Sequence, residues 1–299
     1  MNDVAIEEWV YSALEESVLE LRQAMHTIIT AIGRSKYLYQ RMMVKGGVLL
    51  AIKYRSTRHT KDVDFSTSEK YDTFDQKTFL DELEYNLITA VEKLPYDLDC
   101  SIQSVELSPN KGGTFPTLQI NIGYAYKGTR RHVRLRSKSC PTTIQIDYSF
   151  NEKNVDVDCV EIEDDTRIKA YSLADLVGEK FRAILQQPGR NRIRRQDMYD
   201  IYWLVSNQFL DHVDTVQILQ SLLIKAESRG LKVDISSIHD PEVARRSQVE
   251  YGTLESEIEG DLPEFKHVYA AAVALYESLP WDKSLEGGGS KTFGSNVLK

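Results

Sequence analysis

KGGVLLAIKYRSTRHTKDVDF, running from Lys45 to Phe65, reads as a glycine turn, a short apolar helix, a basic loop and a strand that carries two aspartates. Gly46 and Gly47 let the backbone approach a ligand where a Cβ would clash, and the apolar run Val48 to Ile52 suits the start of a helix. A helix N-terminus offers free N–H groups and a positive dipole end, which suits phosphate. Asp62 and Asp64 flank Val63, so on a strand both carboxylates share one face while Val63 turns to the core. Two carboxylates on one face repel unless a cation lies between them. Mg²⁺ held by carboxylates together with substrate phosphates is the common solution.

Singly, these features are ordinary. A Gly-Gly pair is usually a plain turn, and a D-x-D is usually a solvated strand end. Their order carries the information, because turn, helix and returning aspartate strand bring phosphate donors and metal ligands into one site. In this order the stretch resembles the nucleotidyltransferase superfamily of the DNA polymerase beta type. It is most similar to the AbiEii/AbiGii-type nucleotidyltransferase toxins. Their pattern of K-G-G, an apolar helix and R-x-[ST]-x-D-[IVL]-D-F is matched by Lys45, Gly46, Gly47, Arg58, Thr60, Asp62, Asp64 and Phe65. One position departs: the family usually places Ser or Thr after the glycines, and here Val48 supplies no hydroxyl. The resemblance implies an α/β (α+β) nucleotidyltransferase core, a mixed sheet flanked by helices, joined to a helical C-terminal domain.

Composition agrees with a globular chain. With 299 residues, 41% hydrophobic and 27% charged, one or two domains with a large core are expected. A net charge of −8 argues against an all-over basic surface but leaves room for a local basic groove. No run of about 18 apolar residues is present, and the N-terminal MNDVAIEEWV is acidic, so a cytoplasmic protein without a membrane partner is expected. Cys100, Cys140 and Cys159 are widely spaced and suggest neither a disulfide framework nor a zinc site.

Along the chain, residues 4–32 keep apolar side chains at helical spacing (Val10, Leu14, Val18, Leu21, Met25, Ile28), predicting one long helix or two. Lys45 either reaches a phosphate or is a surface lysine. In the loop from Lys53 to Lys61, Arg58 is placed to contact a triphosphate or an RNA backbone, and His59 reads as solvated. Residues 75–94 form a helix with Phe79, Leu83, Leu87 and Val91 on its apolar face. Alternation then predicts strands over Ser101 to Leu107, Thr117 to Tyr124, Arg131 to Leu135 and Thr142 to Phe150. The last carries Asp147 on the face opposite Ile144, Ile146 and Tyr148, a third carboxylate of the kind a two-metal site needs. Before it, YKGTRRHVRLRSK holds Arg131, Arg134 and Arg136 among cations without one acid. That is either a solvated edge strand or a phosphate-tracking surface.

The second half is helical, with Ser172 capping a helix to Gln187 that Pro188 and Gly189 end. Two further pieces resemble the family. L-x-D-L-x-x-x-K-x-x-A is matched by Leu173, Asp175, Leu176, Lys180 and Ala183; R-D-x-x-D-[LI] is matched in part by Asp197, Asp200 and Ile201, with Gln196 where the arginine is usual. The resemblance implies a nucleotidyltransferase domain over residues 1–165, a helical domain over 166–283 contributing Lys180, and a Gly/Ser-rich tail over 284–299.

It further implies the chemistry: a hydroxyl attacks the α-phosphate of an NTP and pyrophosphate leaves. Asp62, Asp64 and Asp147 would hold Mg²⁺, two ions, or Mn²⁺ in its place. Gly46, Gly47, Arg58 and Lys180 would hold the nucleotide, with Asp197 orienting Lys180. The acceptor implied by toxin relatives is RNA, the 3′ end of tRNA, held by Arg131, Arg134, Arg136, Arg192 and Arg194. A separately encoded antitoxin and a role in phage defence follow from the same kinship. A protein or small-molecule acceptor stays open, as does a scaffold that binds nucleic acid without catalysis.

Overall fold

The computed structural model describes residues 2–3, 6–109, 113–163 and 166–284. The expected tail lies outside them except for Ser284. The chain divides into two compact units, one of Met1–Leu176 with Glu250–Pro263 and one of Val177–Val249 with Glu264–Lys299.

The first unit is built on a mixed sheet. In chain order it contains β1 (Asn2–Asp3), α1 (Ile6–Tyr11), α2 (Glu16–Arg34), α3 (Lys36–Arg41), β2 (Met43–Lys45), α4 (Gly46–Tyr54), β3 (Asp62–Ser66), α5 (Gln76–Lys93), β4 (Leu98–Ser108), β5 (Thr117–Tyr126), α6 (Arg130–Arg136), β6 (Thr143–Ser149), β7 (Val157–Glu163) and β8 (Thr166–Tyr171). The strand order is β1-β7-β8-β2-β3-β6-β5-β4. β3 lies between β2, to which it is antiparallel, and β6, to which it is parallel. Residues of β6 alternate, with Ile144, Ile146 and Tyr148 buried and Gln145, Asp147 and Ser149 partly exposed. The buried face packs on α2 and α5, which pack on each other and contribute Met25, Ile28, Ile29, Phe79, Leu83 and Leu87 to the core. Phe79 stacks on Tyr148 at 5.1 Å between ring centroids, and Phe74 meets Phe150 edge-on at 4.7 Å. The opposite, polar face is left for chemistry.

The second unit takes over the helix α7 (Leu173–Leu185) and continues with α8 (Gln187–Arg190), α9 (Arg195–Asn207), α10 (His212–Ser228), α11 (Pro241–Gln248), α12 (Phe265–Ser278) and α13 (Trp281–Ser284). α9 packs on α12, and Phe181 of α7 meets Tyr276 of α12 edge-on at 5.2 Å. Ser172 caps α7 by accepting from the Asp175 N–H at 3.1 Å.

Several expectations need correction. Arg131 to Leu135 is a helix, not a strand. Gly128 turns the chain at φ +77°, Thr129 caps by accepting from the His132 N–H, and burial of His132 and Leu135 with Val133 exposed follows a period of three. Leu14 is 92% exposed because it falls in the break between α1 and α2. The boundary at residue 165 falls between β7 and β8, which are hydrogen-bonded neighbours, and the sheet unit runs on to Leu176 and regains Glu250–Pro263. Pro188 and Gly189 lie inside α8, since proline at the first turn of a helix loses no hydrogen bond. Among the described residues no helix is long and apolar enough to cross a membrane.

Inside α2, His26 is fully buried, with Nδ1 2.8 Å from the Tyr96 hydroxyl. Burial lowers its pKa from the ordinary 6.5 to about 4. The unfolded chain therefore binds this proton first as pH falls. The neutral folded form is fully favoured above pH 6.5, and that stability is lost between pH 6.5 and about 4. His26→Asn is expected to flatten the fall of melting temperature across that window, which removes about 3 kcal/mol in the parent chain by the same linkage. A pH series of thermal melts reads the difference.

Candidate active site

The chain leaves β2 at Lys45 and enters α4 through Gly46, whose φ of +69° favours glycine. Space demands glycine as well: a Cβ at Gly46 would lie 2.1 Å from Asp64 Oδ2. A Cβ at Gly47 would lie 2.8 Å from Thr60 Oγ1 and 3.1 Å from Arg58 Nη2. The two glycines thus let the helix start seat directly against the side chains of the returning loop and strand. Val48 is fully buried, so this position faces the core, and its missing hydroxyl is matched by packing of α4.

Strand register then aligns the acids. Lys45 pairs with Asp64, and Asp64 with Asp147, so Lys45, Asp64, Asp147 and Gln119 form one row across β2, β3, β6 and β5. The next row places Asp62, Gln145 and Asn121 side by side. Adjacent strands are about 4.8 Å apart, and residues in register share a face, so all three expected acids are on the polar face. Asp62 is exposed; Asp64 and Asp147 are half-buried.

Each acid has polar neighbours. Thr60 Oγ1 donates to Asp62 Oδ1 at 2.6 Å. Asp147 Oδ1 accepts from the Gln145 amide at 2.7 Å and from Gln119 at 3.3 Å. Lys45 Nζ lies 3.8 Å from Glu152 Oε1 and 5.9 Å from the Tyr171 ring centre, so it is a buried-edge cation and not a free surface lysine. Among the described residues no three His, Cys, Asp or Glu side chains are grouped so as to hold a metal by themselves. Asp62, Asp64 and Asp147 therefore share a face without closing into a three-ligand cage. Asp62 lies one row away and is bonded to Thr60, while one oxygen of Asp147 is taken up by Gln145 and Gln119.

The loop between α4 and β3 is tied down by a segment far along the chain. Arg58 and Ile258 form an antiparallel bridge. The His59 N–H donates to the Glu257 carbonyl at 2.6 Å, and the Glu259 N–H to the Thr57 carbonyl at 3.0 Å. Glu259 also meets Arg22 at 3.0 Å and lies 3.8 Å from His59 Nε2. Arg58 is accordingly buried, its guanidinium against Gly47. His59 is held by this segment and is not a solvated loop residue. Lys53 is in the last turn of α4, paired with Asp158.

The remaining expected residues are elsewhere. Arg131 pairs with Glu20 at 2.9 Å, whereas Arg134 and Arg136 are exposed on α6. Leu135 of α6 packs over Gly123, two residues along β5 from Asn121 and on the same face, with its Cδ1 2.7 Å from where a Cβ would be. In the helical unit, Lys180 Nζ is 3.0 Å from Asp197 Oδ1 and 2.7 Å from Asp200 Oδ2. Arg194 Nη1 lies 3.6 Å from Asp197 Oδ2, and Arg192 is exposed.

Gln119, Gln145 and the Glu257–Glu259 segment were not singled out from the sequence. Gln145 had one legible sign, its place two residues before Asp147 on the same strand face. The distant segment had none.

Gly46→Ala is expected to cost about 1–3 kcal/mol, the range for backbone strain of this kind, and to push the Asp64 carboxylate aside. Thermal denaturation reads the cost. Lys180→Met removes the cation beside Asp200, which has no exposed surface, and is expected to destabilise the chain by about 3 kcal/mol. Chemical denaturation checks this; an unchanged midpoint would show that the pair contributes nothing.

Residues 35–274 match the family model described as nucleotidyl transferase AbiEii toxin, type IV TA system. No curated protein matches the chain in sequence. Two Helicobacter pylori structures, one of them the protein JHP933, superpose with TM-scores of 0.53 and 0.52 at 14% identity, covering 91% and 92% of this chain and 98% of each of those chains. MenT4, the nucleotidyltransferase toxin Rv2826c of Mycobacterium tuberculosis H37Rv, superposes with a TM-score of 0.51 at 10% identity, covering 94% of this chain and 91% of that one. At these identities the structures speak for the fold alone. The family match spans the glycine turn, both aspartate strands and the Lys180 helix, and the chain belongs to the AbiEii family of nucleotidyltransferase toxins of type IV toxin–antitoxin systems.

Proposed function

We propose that this nucleotidyltransferase moves a nucleoside monophosphate from an NTP to a hydroxyl of RNA, the 3′ end of tRNA, and that Asp62, Asp64 and Asp147 serve a divalent cation. The observation that carries the reading is the register of Asp64 with Asp147 on parallel strands, beside a glycine turn on which Asp64 itself rests. Carboxylates in this number fit Mg²⁺, or Mn²⁺, because such an ion takes one or two protein carboxylates and completes its shell with phosphate and water. When bound, the ion neutralises charge on the phosphates and polarises the reacting phosphorus.

The chain's own groups do the rest. The N–H groups at the start of α4 face the triphosphate, with Arg58 beside Gly47 adding a fixed positive charge. Asp62 is held by Thr60, so its second oxygen is presented in one orientation. Asp147 accepts the proton of the attacking hydroxyl in this reading. Lys180, oriented by Asp197 and Asp200, offsets charge on the triphosphate, the role that kinship gives it. This chemistry rests on positioning and electrostatics, so loss of one carboxylate costs rate far more than it costs fold.

Exposed Arg134 and Arg136 on α6 support a nucleic-acid acceptor, since α6 lies against the same sheet face as the acids through Leu135 and Gly123. Membership of a type IV system implies an antitoxin partner, and action against phage-infected cells is consistent with it.

The test is a transfer assay with Mg²⁺, each α-labelled NTP in turn and total tRNA. Label on tRNA that falls at least 100-fold in Asp64→Asn is the expected outcome, with Arg134→Ala/Arg136→Ala weakening RNA binding and its salt dependence. Label on protein, or none with any acceptor, would overturn the RNA reading.

A further inference from the structure

The polar face of the sheet carries two neutral amides aimed at one carboxylate. Gln145 precedes Asp147 by two residues on β6, and its Nε2 donates to Asp147 Oδ1 at 2.7 Å. Gln119, in register with Asp147 on the neighbouring β5, donates to the same oxygen at 3.3 Å. Asp147 Oδ2 makes no hydrogen bond among the described residues, so the two oxygens of this carboxylate are not equivalent. Gln145 is also in register with Asp62, which places its side chain between the two acids along the sheet.

The terminal torsion of aspartate is broad, so a carboxylate on a half-open surface swings unless donors fix it. A lysine or arginine would fix it too, but would cancel the negative charge that a cation needs. Glutamine is the donor that orients without neutralising, and its two methylenes span the i, i+2 distance on a strand face. Both amides bind the same oxygen, Oδ1, one from β6 itself and one from β5. Oδ2 is therefore the oxygen presented to a ligand.

We infer that Gln145, with Gln119, is a positioning residue for nucleotidyl transfer: the amides hold one oxygen of Asp147 so that the other is offered to the divalent cation. The inference rests on the reading of Asp147 as a cation-binding acid. Groups behind a metal ligand typically change metal affinity or rate about 10- to 100-fold when removed, and that is the scale expected here.

The experiment is a Mn²⁺ titration of the full chain followed by the electron paramagnetic resonance of free Mn²⁺, beside Mg²⁺-dependence of transfer. Parent, Gln145→Leu, Gln119→Leu and Asp147→Ala are compared, with Gln145→Ala as a second variant if the leucine does not fold. Gln145→Leu is expected to weaken Mn²⁺ binding and raise half-saturating Mg²⁺ about 10-fold, with KM for the NTP at saturating Mg²⁺ changed less than about 3-fold. Gln119→Leu, at the longer distance, should shift less, and melting temperatures should stay within a few degrees. If Asp147→Ala loses Mn²⁺ while both glutamine variants bind it as the parent does, the inference fails and the acid's assignment stands. If Asp147→Ala binds Mn²⁺ and transfers as the parent does, the assignment itself fails, and the inference with it.

Discussion

One oxygen of Asp64 occupies the space where any side chain at position 46 would begin, and this contact sets the geometry of the whole site. Because β2 pairs antiparallel with β3, Lys45 is brought opposite Asp64 and the chain must turn away at once into α4. Only glycine allows that turn and leaves room for the carboxylate. The helix start, with its free N–H groups, is thereby fixed beside Asp64. Everything else on the polar face is arranged around that constraint: Thr60 against Asp62, Arg58 against Gly47, the amides against Asp147.

Negative charge is gathered on a face of an already acidic chain, and the structure limits its repulsion by three means. Asp62 and Asp147 each accept from neutral donors, the two rows lie two residues apart along the strands, and Lys45 closes the row beyond Asp64. The helical unit solves the opposite problem. There Lys180 is a buried cation, and two aspartates one turn apart on α9 converge on it, one fully buried and one at the edge. Burial of such a trio is costly unless every partner is hydrogen-bonded, which accounts for its short, direct contacts.

The loop between α4 and β3 would be expected to wander, rich as it is in Arg, His, Ser and Thr. It does not, because the chain returns after Val249 to lay Glu257, Ile258 and Glu259 along it as a short antiparallel partner. Backbone hydrogen bonds to His59 and Thr57, and the bridge at Arg58, bury a guanidinium that in isolation would seek water. The Arg22–Glu259 pair anchors the same segment to α2, so a loop beside the acids takes its rigidity from the core helix.

By itself the sequence determined the parts whose causes are local. Glycines before an apolar run, an alternating D-x-D, the Ile144 to Ser149 alternation and the helical period of Phe79 to Val91 each follow from neighbouring residues, and each is present in the fold. The family match spans the same stretches. The tertiary structure alone decided what depends on distant partners. β2 and β8 are too short or too mixed to announce themselves, and they exist because neighbours supply their hydrogen bonds. The segment Arg131 to Leu135 alternates as a strand does, but a capping threonine and the space over Gly123 make it helical. That Gln119 meets Asp147, that Glu259 holds Arg22, and that three acids share a face without closing into a cage are matters of strand register and long-range pairing. Those depend on residues tens to hundreds of positions apart, which no local pattern encodes.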